Sequence, residues 1–153
     1  MRNTERVASS YYKLLSSIDW NDEVLVYGLK EGLNKFISNA YIKLNNRNKL
    51  LQGDYYSQEA IDKISAGNFD GLIYEHMVPK SKYIQSPCIN MAKNGTLTVS
   101  QIVNLLDQYW KIAVITKEQD KLLSRTKMPD DWDGKNIMAR YIDAGIHLVP
   151  RAL

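Results

Sequence analysis

The chain has 153 residues, 44% of them hydrophobic and 24% charged, with a mean hydropathy of −0.37. This is ordinary for a folded protein and excludes a disordered chain, which needs lower hydrophobicity and higher net charge. Twenty Lys+Arg against seventeen Asp+Glu leave +3 and a pI near 8.9, which permits a polyanionic partner without demanding one. A lone cysteine, Cys88, excludes an intramolecular disulfide, no apolar run reaches the length of a membrane span, and the start Met1-Arg2-Asn3-Thr4-Glu5 lacks the apolar stretch of a secretory signal. A reducing, cytoplasmic setting is the default expectation.

In chain order, Val7, Tyr11, Leu14, Leu15 and Ile18 form one apolar helical stripe with Thr4 as N-cap. Asp19–Asp22 breaks it. A longer stripe runs through Leu25, Leu29, Leu33, Phe36, Ile37, Ala40, Tyr41 and Leu44, weakened by about 1 kcal/mol at each of Gly28 and Gly32. Asn45–Asn48 reads as an exit turn, and a short helix runs from Ser57 to Gly67. Leu72-Ile73-Tyr74 is the first strand, closed by Pro79. Thr98-Val99-Ser100-Gln101 is a capping box ahead of a stripe at Ile102, Leu105, Leu106 and Tyr109. Lys111–Ile115 is a β-branched strand. Thr116–Gln119 is a second capping box, whose helix continues through Leu122 and Leu123. A loop at 128–134 precedes a last helix at Ile137–Ile142, stopped by Gly145, and a terminal strand at Ile146–Val149. These elements predict an α+β fold, mainly helical, as a single domain: a helical accessory part over 1–67, a core over 70–125, and a C-terminal helix and short strand over 126–153.

The most informative segment is Ile73-Tyr74-Glu75-His76-Met77-Val78-Pro79-Lys80, an acidic residue beside a histidine at a strand end, followed by two apolar residues and proline. It resembles the first strand of the HNH, or ββα-metal, nuclease superfamily, whose pattern is Asp/Glu-His-apolar-apolar-Pro. The resemblance covers about residues 70–125, with Ile112–Ile115 as second strand and the Thr116-capped helix behind it. The family's middle Asn is not identified. Lys111 and Ile112 hold its place, so the hydrogen bonds that fix the loop need another source, Asn104 or Asn90.

The resemblance implies a divalent-metal-dependent endonuclease hydrolysing DNA, of restriction, phage or mobile-element type. His76 would be the general base, Glu75 and Asp120 the metal ligands, and Mg²⁺ the ion, with Mn²⁺ as a substitute. Glu118, on the same first turn, competes with Asp120. The chemistry is coherent on its own terms. An imidazole near its working pH takes a water's proton, and carboxylates suit a hard cation that stabilises charge on the phosphate. Lys80, Lys82, Lys121, Arg125 and Lys127 flank these positions as DNA phosphate contacts, which position a backbone without reading its sequence. Adjacent Glu75 and His76 point to opposite sides of a regular strand, so one site can use both only if the strand bends or ends there.

Other candidates carry less. Asp120 is favourable in a first helical turn through the helix dipole alone. His147 alternates with Ile146 and Leu148, as on a solvent-facing strand position. Cys88 reads as a plain buried thiol in a loop, and the three carboxylates of the 130–133 loop lack the spacing of a calcium loop. The alternative function is a catalytically inactive HNH-like module that binds nucleic acid or inhibits a protein in host–phage conflict. Restriction-like nucleases are often dimers, which leaves a homodimer through the helical first third open.

Overall fold

The computed structural model describes residues 1–151 as an α+β chain, mainly helical. It divides into two compact units, one of residues 1–46 and 80–108 and the other of 47–79 and 109–153. The boundaries expected at 67–70 and 125–126 do not coincide with this division: residues 47–67 belong with the strands, and 80–108 with the first helices.

The first unit is helical. α1 spans Asn3–Ser17 and buries Val7, Tyr11 and Leu15, the expected stripe. Its N-cap is Arg2, not Thr4: Glu5 Oε2 accepts from Arg2 N at 2.9 Å, while the Thr4 hydroxyl accepts from Tyr41. The second stripe is two helices. α2, Glu23–Gly28, is capped by Asp22, and α3, Lys30–Asn45, buries Leu33, Ile37 and Tyr41 against α1, with Tyr11 stacked on Phe36 at 5.6 Å. None of the α2 residues is buried. The expected loop around Cys88 is instead a π turn, Ser81–Gln85, running into α5, Ser86–Lys93. The buried Gln85 amide donates to the carbonyls of Leu33 and Asn34 in α3. α6, Val99–Tyr109, follows the Thr98–Gln101 box.

The second unit is built on four short strands, β1 Tyr55–Ser57, β2 Leu72–His76, β3 Ile112–Thr116 and β4 Leu148–Pro150, in the order β2-β3-β1-β4. β1 and β3 are parallel, and the outer pairs antiparallel. β3 lies inside the sheet and is buried from Ile112 to Ile115, which fits its unbroken apolar run. α4, Gln58–Ser65, starts at its Ser57 cap as expected. α7, Lys117–Asp120, keeps the Thr116–Gln119 box but ends at Asp120, short of Leu123. α8, Ala139–Ala144, stops at Gly145, whose φ of 71° is left-handed and suits glycine. One sheet face packs Ala113, Ile115 and Leu148 against Met77 and Tyr141; the other packs Leu72 and Val114 against Tyr56 and Ala60.

Candidate active site

β2 and β3 pair antiparallel over five residues, with Glu75 opposite Ala113 and His76 opposite Ile112. β2, β3 and α7 therefore follow the strand–strand–helix order that the sequence suggests, with residues 80–108 interposed. Pairing is regular to the last residue of β2, so its side chains alternate. Ile73 packs on the face of Ala113, Ile115 and Tyr141, whereas Tyr74 packs on the face of Val114 and Tyr56. Glu75 follows Ile73 onto the first face and meets Arg140 of α8 there. His76 follows Tyr74 onto the other. Its ring lies edge-on to Tyr74 at 5.8 Å and to Trp110 at 4.6 Å. The structure does not bring the His76 imidazole and the Glu75 carboxylate to one face.

It does bring Glu75 and Asp120 together. Burial pushes the Glu75 carboxyl above the usual carboxylate range. Arg140 opposes that shift, and Asp120 adds to it as a neighbouring negative charge and hydrogen-bond partner. Glu118 is exposed and held below the usual range by the backbone N–H at its own position and by the Thr116 hydroxyl, so it stays ionised at the helix start while Asp120 turns inward.

Arg140 is the residue sequence reasoning missed. It is 4% exposed. Its Nη2 meets Glu75 Oε1 at 3.0 Å and donates to the carbonyls of His76 and Met77; Nε also reaches Met77 O, and Nη1 the Ser124 carbonyl. The guanidinium thus ties the end of β2 to the segment after α7. Beside it the Tyr141 hydroxyl is buried and, among the described residues, has no hydrogen-bond partner; burial, then the charge of Glu75, pushes it up. The start of β3 is held by Asp54, whose carboxylate accepts from Ile112 N at 2.9 Å while its own N–H donates to Ile112 O at 2.8 Å. Neither Asn90 nor Asn104 supplies that bond.

The expected phosphate contacts are divided. Arg125 pairs with Asp120 at 3.4 Å and Lys127 with Asp130 at 3.2 Å. In the other unit, Lys80 donates to the Asn34 carbonyl and is pushed below the usual lysine range by burial and then by Lys35. Lys82 lies over the Tyr83 ring at 5.4 Å. Lys121 is exposed, and so is His147, as expected. Cys88 is buried within α5 and pushed up to about 11 by burial, which disfavours its thiolate.

Among the described residues no group of three or more His, Cys, Asp and Glu is placed to hold a metal. Two carboxylates in contact still form a hard-oxygen pair, and Mg²⁺ is commonly held by one or two carboxylates with water and phosphate oxygens. Arg140 engages one oxygen of that pair and Arg125 another, the latter from an exposed side chain. A divalent ion held by this pair would have to displace Arg125 and share Glu75 with Arg140. Among the described residues no helix is long and apolar enough to cross a membrane. Comparison with family models, curated proteins and solved structures finds no match to this chain.

Proposed function

We propose that the chain is a metal-dependent endonuclease acting on DNA phosphodiesters. The observation that carries the reading is the meeting of Glu75 and Asp120, which lie 45 residues apart in sequence, on a strand–strand–helix element. Glu75 and Asp120 would hold a divalent ion, which when bound stabilises charge on the phosphate and the leaving oxygen. His76 takes the proton of the attacking water. Because its ring and Glu75 lie on opposite faces of β2, the scissile phosphate must lie over the end of the strand, beyond His76. Lys121 is exposed and would contact the phosphate backbone, and Arg125 would join it by leaving Asp120.

The test is cleavage of supercoiled plasmid with Mg²⁺ or Mn²⁺ by the wild type, His76→Ala and Asp120→Asn. Wild-type cutting that falls about 100-fold or more in His76→Ala is the expected result. No cutting with either metal overturns the reading, and cutting indifferent to His76→Ala removes the assigned base.

The opposite facing of Glu75 and His76 favours a second reading, a non-catalytic module that binds nucleic acid. Salt-dependent DNA binding without cleavage, unchanged in His76→Ala, is its signature.

A further inference from the structure

A cavity of about 690 Å³ lies in the helical unit and shares no lining residue with Glu75 or Asp120. That volume falls within the ordinary range for small-molecule sites. Its walls are aromatic and apolar: Trp20 and Tyr27 with Leu33 and Ile89. Trp20 is fixed in place, its Nε1 donating to Leu15 O at 3.2 Å and the Lys93 ammonium standing 5.7 Å from its ring centroid. Tyr27 is 79% exposed on α2, the helix that buries none of its own residues. Such a helix gains nothing from a core of its own, and its Val26 and Tyr27 line the cavity.

Charge selects the occupant. Lys30 and Lys93 line the cavity, both exposed, and among the described residues neither is held in an ion pair. Glu23 is the one carboxylate lining it. The surrounding unit carries nine Lys+Arg against six Asp+Glu, whereas the strand unit carries eleven of each, so the net charge of +3 belongs to the unit that holds the cavity, whose own lining has two lysines against one carboxylate. An uncharged apolar ligand would use the walls and make nothing of the Lys30 ammonium. A bare anion would use the ammonium groups and leave the rings idle.

We propose that this cavity binds a nucleotide, with the planar base against Trp20 and Tyr27 and the phosphate at Lys30 and Lys93. Aromatic stacking accepts any base, and the lysines add a salt-sensitive attraction.

The experiment measures binding in EDTA, where metal-dependent cleavage cannot intervene. The probes are nucleoside 5′-monophosphates by calorimetry and a 5′-labelled single-stranded DNA octamer by fluorescence anisotropy. The variants are Tyr27→Ala and Lys30→Glu/Lys93→Glu, all at exposed positions, with folding checked by circular dichroism. The expected result is saturable binding that weakens about tenfold in each variant and is unchanged in Asp120→Asn. Monophosphates bound as tightly as the octamer assign a free nucleotide; octamer binding alone assigns a base within a strand. No saturable binding of either probe overturns the proposal. So does binding indifferent to both variants, or inorganic phosphate competing as well as the monophosphate. Because no metal is used, failure to cut plasmid leaves this site standing, and loss of this site leaves the nuclease reading standing.

Discussion

Arg140 and Glu75 face each other with side chains 2% and 20% exposed, and the guanidinium also gathers the carbonyls of His76, Met77 and Ser124. A cation so placed does more than balance a charge, since it also satisfies three backbone carbonyls. Arg140→Met leaves Glu75 buried beside Asp120 with its main counter-charge gone, a loss of about 3–5 kcal/mol, read as a shift in urea midpoint. Glu75→Gln/Arg140→Met is expected to recover part of that loss because it removes the orphaned charge. Glu75 also sets a pH dependence. Its folded pKa lies above the ordinary value of 4.5, so the folded state holds a proton where the unfolded chain has released it. Its contribution is full below 4.5 and is lost as pH rises through the raised folded value. Wild-type stability minus that of Glu75→Gln should therefore fall across that window; a flat difference refutes the shift. Glu75 and Asp120 were legible in the sequence because each carries a local sign, a neighbouring histidine or a capping box. Arg140 carries none. It arrives 65 residues after Glu75 within an apolar stripe, and only the packing of α8 on β2 reveals it.

At the scale of elements, local chemistry wrote the boundaries that were readable. Ser57, Thr98 and Thr116 are caps in the structure because each side-chain oxygen accepts from the backbone three residues on. α7 is only one turn, too short to form on its own, so its cap decides whether Asp120 faces Glu75. Thr116→Ala should lose about 1 kcal/mol in chemical denaturation, and Thr116→Ser should keep most of it. What was not legible depends on distant partners. β1 is three residues long and becomes a strand only by pairing with β3, reached 57 residues later, and with β4. Gly53, just before it, shows how close that approach is: a Cβ there would stand 2.8 Å from Val114 Cγ2 and 3.0 Å from Tyr56 Cζ. Gly53→Ala is expected to lose about 1–3 kcal/mol by forcing its new Cβ against the Val114 and Tyr56 side chains. The single long stripe read through Leu25 and Leu44 is two helices meeting at Leu29, because apolar spacing alone does not record that α2 has no core to face.

Over the whole chain, stability is distributed unevenly, and the extremes can be named. β3 is paired on both edges and buried at four successive residues, so its amides open only when its unit unfolds. α2 lies at the other extreme. It spans six residues, buries none, and rests on its Asp22 cap and a few backbone bonds such as Leu29 N to Leu25 O. A helix that short is marginal without packing. Native-state hydrogen exchange should accordingly show Val114 and Ile115 among the slowest amides, at the global limit, and Val26 to Leu29 near the unprotected rate. Equal protection in the two segments would refute this ordering. A ligand that rests on Tyr27 and Val26 supplies the packing that α2 lacks, so saturating nucleoside monophosphate should slow exchange in 26–29 while leaving β3 unchanged. An α2 that stays unprotected under saturation would mean that nothing bound there touches this helix.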